Sequence, residues 1–227
     1  MLDELQLSAT IGYYAAENFV SAEFDGTDVE SGTADPAGLT DLWIVAKWRI
    51  IKQEKFSGAL LGGLKLPTGK DDVLLSNGEP LEPSSQPGTG AVDFLAGGSG
   101  TFTFTDRIAL DMSGQYTFRT WHDGFKVGDR MDAGLALSYR LTEDEHHYPR
   151  FSVFGESIFT WIGKDQGNAE ENPNSGGFFI FLSPGLRVSF SQNVTLTVAP
   201  AFPALQDLNG LQDKTDFRIT AVLSMTF

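Results

Sequence analysis

The sequence predicts an all-β protein, an antiparallel up-and-down transmembrane β-barrel of about ten strands formed as a single domain over residues 1–227. Three observations predict it. From Phe217 to Phe227 every odd position is apolar (Phe217, Ile219, Ala221, Leu223, Met225, Phe227), while the mostly polar Arg218, Thr220, Val222, Ser224 and Thr226 fall between them. A period of two gives each set its own face of one strand, and ~11 residues is what a tilted strand needs to cross a bilayer. Segments of the same kind recur along the chain. The connections between them also sort by parity, long or medium after odd-numbered strands and shorter after even-numbered ones. Outer-membrane barrels have this asymmetry, with short periplasmic turns and long external loops. A soluble sandwich has no physical reason for it.

The elements follow in order. Glu4–Tyr14 alternates Leu5, Leu7, Ala9, Ile11 and Tyr13 against polar residues, and the acidic, Gly-containing stretch Ala15–Gly38 reads as a long loop. Asp41–Ile51 carries Leu42, Ile44, Ala46, Trp48 and Ile50 on one side. After the turn Lys52-Gln53-Glu54 comes Lys55–Leu66, interrupted by Gly58, Gly62 and Gly63. Pro67–Thr89 is a Pro/Gly-rich loop. Ala91–Phe104 and Arg107–Arg119 flank a tight Thr105-Asp106 turn, the second with the cleanest alternation of all. The connection through Trp121-His122-Asp123-Gly124 leads to Met131–Leu141, and the turn Thr142–Pro149 to Phe151–Ile162. Gly163–Gly177 is a further long loop. Phe178–Phe190 and Val194–Phe202 are joined by Ser191-Gln192-Asn193, and Ala204–Asp213 connects to the closing strand.

A formal charge of -14 argues against a nucleic-acid partner, which requires a basic face. Mean hydropathy near zero (-0.12) fits a barrel whose apolar outer residues alternate with polar inner ones. No apolar run reaches the ~18 residues of a spanning helix. Met1-Leu2-Asp3-Glu4 enters the strand pattern without a basic start or apolar core, so no signal peptide is expected in this numbering. Cysteine is absent, which excludes disulfides and thiolate metal sites.

Several stretches carry a resemblance. Gly38-Leu39-Thr40-Asp41-Leu42, Ala46-Lys47-Trp48-Arg49, Gly62-Gly63-Leu64-Lys65-Leu66-Pro67-Thr68-Gly69-Lys70 and Gln86-Pro87-Gly88-Thr89-Gly90-Ala91-Val92-Asp93-Phe94-Leu95 resemble the MetA-pathway of phenol degradation family. Its members are described as outer-membrane β-barrel transporters. The resemblance implies a barrel and a transport role, and identifies no catalytic residues. It also implies twelve strands if an N-terminal hairpin is missing.

With the apolar rows facing lipid, the pore-lining residues are expected to be Lys47, Arg49, Arg107, Asp111, Arg119, Asp132, Arg140, Glu156, Arg187 and Arg218. Lys65, Glu4, Asp41 and Asp93 join them. Such charges either set solute preference or neutralise one another inside a narrow barrel. The first loop, with Glu17, Glu23, Asp25, Asp28, Glu30 and Asp35, lacks the spacing of a calcium loop and reads as solvated. Pro67-Thr68-Gly69-Lys70 is followed by Asp71, which excludes a phosphate-binding Walker loop. Among the histidines, His146-His147 sits in a turn and His122-Asp123 in an outer loop, where a barrel enzyme would need a nucleophile such as Ser113 within reach. Trp48, Tyr139, Phe159, Trp161 and Phe227 sit near strand ends and are candidates for interfacial girdles.

These readings converge on a porin-like outer-membrane channel of a Gram-negative bacterium, passing small aromatic or weakly hydrophobic solutes without catalysis, cofactor or metal. Both termini would be periplasmic. Expected partners are outer-membrane lipid and lipopolysaccharide, the solute, and the barrel-assembly machinery through the strand ending in Phe227. The alternatives are an outer-membrane barrel enzyme acting on lipid or peptide near His122, and a soluble ligand-binding β-barrel with its apolar residues inside.

Overall fold

The alternating segments form strands because successive side chains serve opposite faces, and adjacent segments joined by tight turns pair antiparallel. A computed structural model describes residues 4–17, 19–24, 29–143, 147–167 and 170–226. In chain order the strands are β1 (Leu5–Thr10), β2 (Tyr13–Ala15), β3 (Phe19–Phe24), β4 (Val29–Ala34), β5 (Ala37–Leu39), β6 (Leu42–Lys52) and β7 (Phe56–Leu66). Then come β8 (Asp93–Thr105), β9 (Ile108–Phe118), β10 (Phe125–Lys126), β11 (Arg130–Arg140) and β12 (Arg150–Ile162). The last are β13 (Gln166–Gly167), β14 (Glu170–Glu171), β15 (Gly177–Ser189), β16 (Val194–Leu208) and β17 (Arg218–Met225).

Ten of them make one antiparallel sheet in the order β1-β6-β7-β8-β9-β11-β12-β15-β16-β17. Each long strand thus pairs with its neighbours in sequence. Turns of two to four residues follow β6, β8 and β15, connections of nine residues follow both β11 and β16, and longer ones follow β1, β7, β9 and β12. Because neighbours run antiparallel, the long connections gather at one end of the sheet and the short turns at the other. We call these the loop end and the turn end. Among the described residues β1 and β17 are the sheet's edges, each with a strand partner on one side only.

Two expectations are corrected. Ala15–Gly38 is not an irregular loop. Phe19–Phe24 and Val29–Ala34 pair as a hairpin, and Tyr13–Ala15 pairs with Ala37–Leu39 beneath it. Short alternation such as Phe19-Val20-Ser21-Ala22 survives among Gly and Asp because a hairpin needs only local pairing to satisfy its backbone. The hairpin then packs on the next connection, where Phe19 and Ala34 meet Val73, Leu75 and Leu81 in a small apolar cluster. Ala204–Leu208 likewise continues β16 instead of leaving it, after a bulge opposite Ile180 and Phe181. Phe227, His146 and the acidic residues Asp25, Asp28, Asp144 and Glu145 lie outside the described residues.

The two faces differ as the alternation dictates. On one, Leu60, Phe94, Phe118, Leu135, Leu137, Leu182, Ile219 and Leu223 are exposed, each at 50 % or more of its full surface. On the other, Lys65, Asp93, Thr117, Thr160 and Ser183 are buried, at 4 % or less. A protein folding in water does the reverse. The apolar face also carries rings at both ends. Phe94, Phe118 and Trp161 stand toward the loop end, and Trp48, Phe104, Tyr139 and Phe151 toward the turn end.

Charges of the polar face act on one another across several strands. Arg218 on β17 is near enough to Arg130 and Asp132 for their charges to act on it. Four strand spacings, about 19 Å along the sheet, separate β17 from β11.

Candidate functional site

The polar face gathers its charges at the loop end. Lys65 is the last polar-face residue of β7 and lies opposite Asp93, the first residue of β8. Its ammonium sits 2.7 Å from Asp93 Oδ2 and 2.9 Å from Asp41 Oδ2, and it also donates to Thr89 Oγ1. Arg119, just past β9, places Nη1 2.8 Å from the same Asp93 oxygen, while the Thr120 N–H donates to Oδ1 at 3.0 Å. Lys65, Asp41 and Asp93 are almost wholly buried, Arg119 less so. Two cations and two carboxylates balance to zero, which is the condition under which such burial is tolerated.

Asp41 explains the two Gly-rich motifs. Its Oδ1 accepts the Gly69 N–H at 3.0 Å, and its Oδ2 accepts the Thr89 N–H at 3.1 Å and the Thr89 hydroxyl at 3.2 Å. One carboxylate therefore ties both ends of the connection between β7 and β8. The Thr68 hydroxyl meanwhile accepts the Leu42 N–H at 3.0 Å. At the crossing Gly69 and Gly88 touch backbone to backbone, and a Cβ on Gly88 would lie 2.6 Å from the Gly69 carbonyl carbon. No larger residue fits. The Leu-Pro-Thr-Gly and Pro-Gly-Thr-Gly motifs are thus the two jaws of a strap.

Burial alone would raise the Asp41 carboxyl, but the Lys65 ammonium and the N–H groups of Thr89 and Gly69 outweigh it and hold it below its usual value of 3.8. A lowered folded value stabilises the strap above the unfolded value and is lost as pH falls through the folded one. Hydrogen exchange of residues 67–91, corrected for its intrinsic pH dependence, is expected to hold constant from pH 8 to roughly 5 and to accelerate only below about 4. Acceleration near neutrality would show that Asp41 is not the tie.

A second cluster lies beside the first. Arg130 grips Asp132 with two hydrogen bonds of 2.8 Å, and the Thr160 hydroxyl donates to Asp132 Oδ1 at 2.8 Å. Asp129 accepts the Arg119 N–H at 2.9 Å and the Tyr116 hydroxyl at 3.2 Å, and pairs with Lys126 at 3.2 Å. Between these clusters and the connections above them is a cavity of about 390 Å³.

The predicted lining residues spread over the whole polar face. Arg119, Asp132 and Arg218 come together at the loop end, Arg218 with its guanidinium 3.7 Å above the Phe181 ring. Asp111 accepts the Thr101 hydroxyl at 2.6 Å in mid-sheet, and Glu156 lies between Ala136 and Ser183. Arg187 stands 5.6 Å over the Phe154 ring. Near the turn end Arg49 pairs with Glu4 at 2.9 Å, and Lys47 lies between Gln6 and Leu61. Arg107 is not on the wall. It occupies the two-residue turn between β8 and β9, 3.5 Å from exposed Glu143, and its carbonyl accepts the Arg140 N–H. The prediction placed Arg107 in a strand because the alternation starts one residue before the pairing does.

Sequence reasoning missed Arg130, Lys126 and Asp129. They fall where alternation gives way to the connection, and the Arg130-x-Asp132 spacing, two same-face positions, was the available signal. His122 is half-exposed 3.4 Å from Asp123, in the connection after β9, whereas Ser113 lies in mid-strand opposite Ser99 and Gly134. The two are not brought together.

The family described as "Putative MetA-pathway of phenol degradation" matches residues 3–200. The chain belongs to that family. The match spans β1 to the first half of β16 and includes both jaws of the strap, so the Asp41–Lys65–Asp93–Arg119 network lies wholly within the matched residues. No curated protein matches the chain.

Proposed function

We propose that the ten strands close into a barrel in the outer membrane of a Gram-negative bacterium and that the barrel is a passive channel for small aromatic or weakly hydrophobic solutes. The observation that carries this reading is the inverted distribution of side chains, with leucines exposed along the sheet and Lys65 and Asp93 buried on its other face. Hydrocarbon on the outside is the environment in which that arrangement is stable. Aromatic rings at both ends match the two water–lipid boundaries. The family description, with its reference to phenol degradation, supports an aromatic solute. The ions of the polar face would line the passage, and the strapped connection would narrow its mouth. In planar bilayers or swelling liposomes the protein is expected to raise permeability to phenol-sized solutes. No permeability above a lipid control would overturn the channel.

Closure has its own test. β1 and β17 run antiparallel, so they can pair directly and satisfy the backbone groups that lipid would leave unpaired. The natural chain has no cysteine to interfere. With Ser8→Cys on β1, one of Thr220→Cys, Val222→Cys or Ser224→Cys on β17 is expected to cross-link in lipid vesicles. Failure of every pairing would mean that further strands stand between these edges.

A further inference from the structure

We propose that a groove on the apolar face, between β7 and β12, binds an uncharged hydroxylated aromatic that reaches it from the bilayer, with Ser157 bonding the ligand's hydroxyl. The inference rests on the reading that lipid covers this face. The groove has a volume of about 480 Å³, within the size range of small-molecule sites.

The register of the sheet explains the groove. One row of outward positions runs through Gly98 on β8, Gly114 on β9 and Ala133 on β11, almost without side chains, and ends against Phe159 on β12. The row beside it runs from Gly100 through Met112 and Leu135 to Ser157. A Cβ on Gly100 would lie 3.2 Å from the Phe56 ring and 3.4 Å from Met112 Cγ, so these two side chains lean over the glycine. A Cβ on Gly114 would meet nothing within 4 Å. The floor is therefore bare backbone, and the walls are phenyl rings, a thioether and a leucine. Aromatic and sulfur walls over a flat floor suit a planar ring. An acyl chain would have to give up rotational freedom to lie there.

Ser157 gives the groove its chemistry. The outward row of β12 is Phe151, Val153, Gly155, Ser157, Phe159 and Trp161, and across the sheet Ser157 is flanked by exposed Leu135 and Leu182. A hydroxyl thus interrupts an apolar row at mid-strand, and it bonds to no other described residue. Hydrocarbon gives it no partner either. An acyl chain filling the groove leaves that hydroxyl bare. A phenolic hydroxyl, equally short of partners in hydrocarbon, satisfies both groups at once, and no water competes for the bond. Among the described residues no charged side chain lines the groove, so the ligand carries no charge.

The test uses the full chain in lipid nanodiscs, with empty discs as the partition blank and naphthol, followed by its own fluorescence, as the probe. Saturable binding above the blank is expected. Methylnaphthalene substituted at the same carbon, which has the shape without the hydroxyl, is expected to bind about fivefold more weakly. Ser157→Ala is expected to weaken naphthol roughly fivefold and leave methylnaphthalene unchanged, while Ser157→Thr keeps the natural preference. Gly114→Leu, whose side chain has open space before it, is expected to abolish binding of both while the strand signal in circular dichroism stays intact. Equal binding of the two probes, a preference that survives Ser157→Ala, binding that survives Gly114→Leu, or no saturable signal would each overturn the site. Ser157→Cys, in a chain with no other cysteine, is expected to stay monomeric on oxidation. A disulfide-linked dimer would give the groove to a second copy instead. Permeability of the same proteins separates the two readings: binding without conduction counts against the channel alone, and conduction without binding against this site alone.

Discussion

Replacing Lys65 with methionine is expected to destabilise the folded protein by about 3–5 kcal/mol and to open the connection between β7 and β8. The ammonium is the centre of the buried network, within 3 Å of both Asp41 and Asp93. Methionine fills a similar volume, so the loss is electrostatic: two buried carboxylates would share one remaining cation, Arg119, which contacts only Asp93. Asp41 would keep its N–H donors but lose its counter-charge, and would have to take up a proton or pull the strap open. Urea unfolding in lipid vesicles measures the first effect, and protease cleavage between residues 67 and 91 the second. Adding Asp41→Asn removes the stranded charge and is expected to recover part of the loss. A Lys65→Met protein as stable as the natural one, or a double variant worse than the single, would remove the network from the account of the fold.

The second large effect comes from two adjacent residues. Leu135 is at the middle of β11 on the apolar face and is 54 % exposed. Ala136, next to it, faces the other way and is paired in register with Asp111 and Glu156, both acidic. If hydrocarbon covers the apolar face, Leu135→Arg buries a charge near the bilayer midplane and is expected to cost about 2–4 kcal/mol. Ala136→Arg places the same charge between two carboxylates and is expected to cost less than about 1 kcal/mol. The contrast is measured by reversible unfolding from vesicles, with folding yield as a check. Equal penalties at the two positions, or a harmless Leu135→Arg, would remove lipid from the apolar face.

Strand periods were legible because the requirement that sets them is local. Ile108–Phe118 and Arg130–Arg140 alternate without a break, and their bounds differ from the expected ones by a residue at most ends. The hairpin Phe19–Phe24 with Val29–Ala34 was not legible, since its strands are short and its stability comes from packing on Val73, Leu75 and Leu81, about 40 residues further on. Charge alternation identified the polar face but not its partners. That Asp41 binds the N–H groups of both Gly69 and Thr89 depends on a contact between distant segments, which no period encodes. The Gly-rich motifs stood out by composition, yet their use, a backbone crossing at Gly69 and Gly88, needed coordinates.

The two margins of the sheet, each without an outer strand partner among the described residues, have a consequence before any membrane is reached. Along Leu5–Thr10 and Arg218–Met225 every residue is open to its surroundings on both faces. In water such a rim recruits whatever extended chain it meets, and the commonest extended chain nearby is another copy of the same polypeptide. Dilution from denaturant without amphiphile should therefore yield turbidity that grows with concentration, while the same dilution into micelles stays clear.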